Sequence, residues 1–515
     1  MKLQTNREEF YNDICEVIRL FAPVPSVELT DEAGFCAGEA GLRALLSSGT
    51  DGADGAAAAN VPAYSAVAEY FDGAAVFSYA YTLPDERFDA LPSEGSAPLS
   101  ERGAALEKKR LEKRCLKIAV FRAMKKAFPD APLPWGSLTG IRPTSLLRDL
   151  TERYGEQAAL SMMREEFEVS EDKLGLASRI VSVQRPVIAS IRPNDVDVYI
   201  GIPFCRTRCL YCSFASELRT KKTDMRAYLD ALKKDISLGA ALAKERGLTV
   251  RAAYLGGGTP TVLTGSELDE LLDHAANAYG FSAETELTAE AGRPDTITEE
   301  KLRILKKNGT TRISINPQTM NDDTLRLVGR DHTASDVRDC FRMARSLGFD
   351  SINMDLIAGL PLETIEHMER TLNEVLLLAP DSLTVHTLAI KRSSRLHEKL
   401  GEYTLPPVSA VEKMTALGEK CALELGMLPY YMYRQKYMAG NMENVGYSLP
   451  SRICLYNIDM MEDRLSIIAH GAGAMNKRVF SGEKRIERVP NPKDIATYIE
   501  KVERTHAERE RLFSE

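Results

Sequence analysis

The sequence predicts an α/β chain: a partial (β/α)6, TIM-like barrel, preceded by an N-terminal α+β domain and followed by an irregular C-terminal extension. Three observations carry this reading. Beyond residue 195, apolar β-rich runs alternate six times with helix-length stretches, the pattern of parallel strands buried on both faces. Before it, one β-branched and aromatic run is followed by long helical segments. The 515 residues also exceed a single domain of ~100–200 residues. Expected boundaries are 1–195, 196–395 and 396–515.

In the N-terminal part, SSGTDGADGAAAAN (Ser47 to Asn60) is low in complexity and expected to form a mobile loop. AVFSYAYTL from Ala75 has strand composition, and Ser100 to Ala127 reads as a long helix. Its EKKRLEKR run is expected to be a solvated helix face rather than a basic contact patch. Trp135, the only tryptophan, sits in the turn PWGSLTGIRP and is expected to be a structural anchor. Two further helical segments reach Arg185, and Arg192-Pro193-Asn194-Asp195 breaks the pattern.

The six expected strands are VDVYIGI, AAYLGGG, ELTAEAG, TRISINPQ, SINMDLIAG and SLTVHTLAI. Helices follow from Asp224, near Ser266, near Thr298, at Asn321 and Ser335, from Thr364, and after Val408. In such barrels the loops at the C-terminal strand ends collect the chemistry. Each unusual polar cluster of this chain falls at one of those ends. The tail from Pro429 is rich in Tyr, Asn and Met and ends in a charged helix.

Composition narrows the function. A net charge of −8 lacks the basic excess of a generic nucleic-acid binder. No apolar run approaches the ~20 residues of a membrane helix, and MKLQTNREEFYND has no secretory segment. A cytoplasmic protein without membrane or nucleic-acid partners is expected. Nine cysteines are too few and odd in number for a disulfide framework. Cys15, Cys36, Cys115, Cys340, Cys421 and Cys454 are scattered and read as small buried hydrophobes.

Cys205, Cys209 and Cys212 are not scattered; they follow the first barrel strand directly. A zinc site would need a fourth ligand, which one of the scattered cysteines could supply. A [4Fe–4S] cluster takes one thiolate per iron, so three leave one iron open to a small molecule. Three glycines in GGGTPT allow a close backbone approach at a strand end, and the absence of G-K-[ST] argues against a phosphate loop. Glu290 ends a strand, where a carboxylate can accept two hydroxyls. Asp355 lies inside an apolar strand, where it needs a partner.

YIGIPFCRTRCLYCSF resembles the cluster loop of the radical S-adenosylmethionine (SAM) superfamily. Within it, the sequence is most similar to the oxygen-independent coproporphyrinogen III oxidase group, with GGGTPT, Glu290, RISINPQ, LVGRDH and NMDLIAGLP in order. PYYMYRQKYMAGNMENVGY, LYNIDMM and AHGAGAMNK resemble the coproporphyrinogen dehydrogenase HemZ branch. The resemblance implies a radical SAM fold, a [4Fe–4S] cluster on Cys205, Cys209 and Cys212, and SAM as second cofactor. It places Gly257, Gly258 and Thr259 around the methionine part through backbone groups, and Glu290 at the ribose. Tyr199, Tyr211, Gln318, Arg330 and Asp355 would line the pocket, with Leu388 beside them.

The implied activity is that of an oxidoreductase of haem biosynthesis. Reductive cleavage of SAM gives a 5′-deoxyadenosyl radical that abstracts hydrogen from coproporphyrinogen III. Two propionates then lose carbon dioxide and an electron, giving protoporphyrinogen IX. Reduced flavodoxin or ferredoxin is the implied electron donor. A tetracarboxylate needs cations at the barrel mouth, and Arg206, Arg208, Lys391, Arg392, Arg434 and Lys436 form the pool. Two residues depart from the group's pattern: Gly201 stands where it has histidine, and Phe214 where the oxidase has a fourth cysteine. Alternatives are a haem-binding chaperone, with His386 and His470 as candidate axial ligands, and a radical SAM methyltransferase acting on haem.

Overall fold

The computed structural model describes residues 1–21, 26–30, 40–48, 64–73, 75–83, 101–140, 142–435, 438–480 and 485–514. Most of the Ser47 to Asn60 segment, Cys36 and Lys436 lie outside the described residues. The chain divides into two compact units, Met1–Ala177 with Phe480–Arg485, and Ser178–Val479 with Ile486–Glu515. The division falls inside a helix, upstream of the Arg192–Asp195 break on which the sequence reading placed it.

The first unit is a five-stranded sheet, ordered β2-β1-β3-β4-β5, with helices. Its strands are β1 (Lys2–Thr5), β2 (Glu28–Leu29), β3 (Gly41–Ser48), β4 (Tyr64–Asp72) and β5 (Ala75–Thr82). Tyr64, Ala66, Ala68 and Tyr70 of β4 are buried while the residues between them are not, the period-two pattern of a sheet with one covered face. Helices α1 (Tyr11–Phe21) and α2 (Glu101–Ala127) supply that cover; α3 (Pro143–Tyr154) and α4 (Glu156–Glu165) follow. The Lys108–Arg110 segment of α2 is exposed, as expected of a solvated face, and Trp135 is fully buried.

Helix α5 (Glu171–Ala189) leads into the second unit. The six expected strands are there: β6 (Asp195–Ile202), then, after the short pair β7 (Phe204–Cys205) and β8 (Glu217–Leu218), β9 (Thr249–Gly257), β10 (Glu286–Gly292), β11 (Arg312–Ile315), β12 (Ile352–Ala358) and β13 (Ser382–Thr387). Neighbours pair in parallel in the order β6-β9-β10-β11-β12-β13. Between them run α6 (Met225–Glu245), α7 (Gly265–Tyr279), α8 (Glu299–Lys307), α9 (Asp322–Leu327), α10 (Ala334–Ser346) and α11 (Ile365–Leu378). Local sequence sets the helix starts: the Asp224 side chain accepts from the Ala227 amide at 3.0 Å, and Thr264 with Glu267 forms a capping box.

The tail, read from sequence as irregular, extends this sheet. After α12 (Arg395–Glu398) and α13 (Val408–Glu424) come β14 (Leu428–Tyr433) and β15 (Asn444–Ser448), antiparallel at the β13 edge. At the other edge β16 (Ile467–His470) pairs in parallel with β6, followed by β17 (Met475–Phe480) and β18 (Arg485–Pro490). Among the described residues no ladder joins the two edges of the eleven-stranded sheet. Tyrosine and valine, good strand formers, override the Asn and Met content that suggested irregularity. Among the described residues no helix is long and apolar enough to cross a membrane.

Helix α14 (Leu455–Met461) packs on β9 and β14, and α15 (Ile495–Glu500) and α16 (Val502–Ser514) close on α6. That last docking is polar. Fully buried Arg509 donates to Asp235 at 2.7 Å, to Asn476 at 2.9 Å and to the Ala469 carbonyl at 3.0 Å. Burial pushes the Asp235 carboxyl up, but His470 and Arg509 outweigh this and hold it below its ordinary value. Removing one partner of a buried ion pair strands the other charge. Arg509→Ala should therefore cost ~3–5 kcal/mol, read as a lower urea midpoint of the second unit's transition. A midpoint within experimental error of wild type would show the clamp to be dispensable.

Candidate functional site

The three cysteines lie on a loop closed at its base by the β7–β8 pair, in which Phe204 faces Glu217 and Cys205 faces Leu218. Hydrogen bonds to remote strand-end loops fix its course. The Leu210 amide donates to the Val328 carbonyl at 2.9 Å and the Leu210 carbonyl accepts from the Leu396 amide at 2.9 Å. Thr207 Oγ1 donates to the Gly329 carbonyl at 2.7 Å, and Arg208 to the Ser393 carbonyl at 3.1 Å. Cys209 is buried, and Cys205 and Cys212 are half-buried. Burial raises the Cys212 thiol above its ordinary value, and the nearby Cys209 and Cys205 thiols add to this.

The glycine segment packs directly on this loop. Gly257 has φ +112°, and a Cβ there would sit 3.0 Å from the Ile202 carbonyl oxygen. At Gly258 a Cβ would come within 2.5 Å of the Phe204 oxygen and 2.9 Å of Cys205 Sγ. The Gly258 and Thr259 amides donate to the carbonyls of Ile202 and Phe204, both at 2.8 Å. Those two amides are thus committed within the protein; what this segment offers a ligand is other backbone atoms and the space left by absent side chains. Thr259 Oγ1 donates to Cys205 Sγ at 3.6 Å.

Half-buried polar side chains continue from there across one face of the sheet: Tyr199, Tyr254, Glu290, Asp355, His386 and Tyr433. Tyr254 donates to Glu290 Oε1 at 2.7 Å, and its ring stacks on Tyr456 of α14 with centroids 4.7 Å apart. Asp355 accepts from Asn353 at 2.7 Å and lies 3.7 Å from His386 Nε2. Burial lifts Asp355, but His386 and Asn353 outweigh it and hold it below its ordinary value, so it has the partners its apolar strand demanded. Gln318 adopts φ +68°, unusual for a non-glycine residue; β12 holds it on both sides, through Gln318 N to the Asp355 carbonyl and Ile357 N to the Gln318 carbonyl, both at 2.9 Å. Its Oε1 is buried without a hydrogen-bond partner among the described residues. Arg330 donates to the Tyr211 hydroxyl at 3.1 Å and to the Asn316 carbonyl at 2.8 Å, tying Tyr211 of the cysteine loop to β11.

The structure thus brings the cysteine loop to the glycine segment, and ties Tyr211 to Arg330 and Tyr254 to Glu290. Leu388 is instead packed in an apolar cluster with Leu210, Val328 and Leu360. Of the basic pool, Arg206, Arg208 and Arg392 are exposed and Lys391 half-buried, whereas Arg434 is buried and donates to the Asn441 carbonyl at 3.2 Å. His470 is corrected: it is wholly buried, shares a 2.6 Å hydrogen bond with Tyr279, and has no open side for an axial ligand. The Gly201 carbonyl accepts from Tyr228 at 2.8 Å, and a Cβ at 201 would meet the His470 oxygen and the Tyr199 ring at 3.2 Å. Phe214 is 70% exposed. Sequence reasoning passed over Tyr254, Tyr433 and Arg293; Tyr254 lies in a strand that was recognised and Tyr433 in the tail strand β14 that was not, and nothing local marked any of the three as functional.

The radical SAM superfamily pattern matches residues 199–375. The chain is 39% identical over 374 residues to the oxygen-independent coproporphyrinogen-III oxidase-like protein HemZ of Bacillus subtilis, covering 72% of this chain and 75% of that protein. The chain belongs to the radical SAM superfamily and to this HemZ-like family. It is also 34% identical over 211 residues to the heme chaperone HemW of B. subtilis (41% of this chain, 55% of that one). With the oxygen-independent coproporphyrinogen III oxidase of Salmonella typhimurium it shares 31% over 233 residues, 45% of this chain and 50% of that one. The chain thus spans about half the length of these last two relatives.

The superfamily uses a [4Fe–4S] cluster and SAM, and these are the cofactors of this chain. The residues present fit them. Three thiols on one loop would supply one sulfur to each of three irons, and the buried Nη2 of Arg293, whose Nη1 donates to Cys209, has no acceptor among the described residues.

Burial lifts the Glu290 carboxyl from 4.5 to about 7, against the pull of the Tyr254 hydrogen bond. A carboxyl raised in the folded state gives stability that is full below the unfolded value and lost as pH rises through the folded one. Thermal unfolding of the cofactor-free protein should thus show a decline from about pH 5 to pH 8 that Glu290→Gln, always neutral, makes shallower. An equally steep decline in the variant would remove Glu290 as its source.

Proposed function

We propose that this radical SAM protein is an oxidoreductase acting on a tetrapyrrole, and that its reaction is oxidative decarboxylation of coproporphyrinogen III to protoporphyrinogen IX without oxygen. The observation that carries the proposal is the 39% identity to a coproporphyrinogen-III oxidase-like protein over 374 residues, well beyond the superfamily pattern at 199–375. Cys205, Cys209 and Cys212 would hold the cluster. Gly257, Gly258 and Thr259 would border the methionine part of SAM, Glu290 would accept its ribose hydroxyls, and Tyr199, Tyr211, Gln318, Arg330 and Asp355 would line the rest. When bound, the two cofactors supply an electron and a carbon radical able to take hydrogen from a propionate side chain.

The protein's part is placement and exclusion of water. Loop bonds to Val328, Gly329 and Ser393 would fix the thiols before any iron arrives. Within the half-buried row Tyr199 and Tyr254 stack on each other and on Tyr456, and these rings would limit the access of water to Glu290. Ser393 Oγ donates to the Ser213 carbonyl at 3.3 Å, so the basic loop Lys391–Arg392 lies against the cysteine loop, where its cations and those of Arg206 and Arg208 would meet the propionates. Reduced flavodoxin or ferredoxin would supply the electron.

A haem-chaperone reading is favoured by one observation, the likeness to HemW, and His386 in the polar row would be its ligand. An anaerobic incubation with SAM, reductant and coproporphyrinogen III decides between them, analysed for vinyl product, carbon dioxide and 5′-deoxyadenosine. The expected result is all three together, abolished along with the brown cluster absorbance by Cys209→Ser. In a parallel incubation with haem in place of coproporphyrinogen III, stoichiometric haem binding without turnover supports the chaperone, and a methylated, ring-opened haem the methyltransferase; either, with no vinyl product from coproporphyrinogen III, would overturn the proposed reaction.

A further inference from the structure

We propose that Arg293, in the turn after β10, is a positioning residue for the cluster: it holds Cys209 with one arm of its guanidinium and donates the other to a sulfur of the bound cluster, raising the reduction potential. The inference rests on the reading of Cys205, Cys209 and Cys212 as cluster ligands.

Arg293 is only 4% exposed, although arginine is rarely buried without a reason. Its Nε donates to Asp295 Oδ1 at 3.1 Å, which balances the charge. Nη1 donates to the Thr207 carbonyl at 3.1 Å and to Cys209 Sγ at 3.6 Å, both within the cysteine loop. Nη2 is buried with no acceptor among the described residues. Leaving a charged donor without an acceptor in the interior costs more than leaving a neutral one so. The group that a cluster adds beside Cys209 is rich in sulfide and thiolate sulfur, and both accept N–H bonds. The planar fork of arginine suits two such acceptors at once, which a lysine ammonium cannot reproduce.

The sign of the effect follows from charge. Reduction places one more electron on the cluster, so a fixed cation and N–H···S donors favour the reduced form. Removing them disfavours it. Arg206, on the same loop, is exposed and donates to the Asp295 carbonyl at 2.9 Å, so solvent screens its charge and it does not substitute for Arg293.

The test is a redox titration of anaerobically reconstituted, SAM-free protein, followed by electron paramagnetic resonance. In Arg293→Gln the reduction equilibrium should shift at least tenfold towards the oxidised form, ~59 mV for a one-electron couple, and Arg293→Lys should fall between it and wild type. A second measurement needs no folded variant. Wild-type protein carrying [15N]arginine should show a 15N hyperfine coupling to the reduced cluster, and Arg293→Lys, where it assembles, should lose it. A wild-type potential in Arg293→Gln, or no 15N coupling in wild type, overturns the role of Arg293 while leaving the cluster in place. Failure of wild-type protein to take up iron and sulfide would instead overturn the ligand reading beneath it.

Discussion

The candidate site turns on fixing the course of one loop that carries Cys205, Cys209 and Cys212 and has almost no regular structure of its own. Short loops rich in arginine and cysteine do not choose a single conformation unaided, since ordering each residue costs about 1–2 kcal/mol. Here the ordering comes from outside the loop. Val328 and Gly329, just after α9, Asp295, in the turn after β10, and Ser393, in the loop after β13, lie far along the chain, yet all bond to residues 206–213. The parallel order β6 to β13 is what gathers them.

The same sheet supplies the second half of the site. Alternation along parallel strands places Tyr199, Tyr254, Glu290, Asp355 and His386 at half-buried positions, and β14 adds Tyr433 at the edge. The tail completes this floor. Tyr456 stacks on Tyr254, and the apolar cluster around it joins Tyr430, Tyr431, Ile458 and Ala469 of the tail to Ala252 of β9. The C-terminal residues are therefore structural members of the sheet, not an appendage to it, and the Arg509–Asp235 pair binds the last helix to the first barrel helix.

Much of this was legible in the residues. The six strands announced themselves by apolar runs ending in polar clusters, and Cys205, Cys209 and Cys212 by spacing. What stayed hidden depends on contacts across distant parts of the chain. The tail strands were masked because Asn and Met dilute the Tyr and Val that pair them. The burial of His470 follows from Tyr279 and Asp235, more than 190 residues away. The positive φ of Gln318 has no local signal, and Arg293 in GRPD reads as an ordinary turn until Cys209 is seen beside it.

The central claim is a cluster with one iron that the protein leaves unligated. Mössbauer spectroscopy of the anaerobically reconstituted, 57Fe-labelled protein tests it most directly. The account predicts four irons per chain, one of which changes its isomer shift when SAM is added while the other three do not. Four irons unaffected by SAM, or a reconstituted protein without a cubane spectrum, would contradict it.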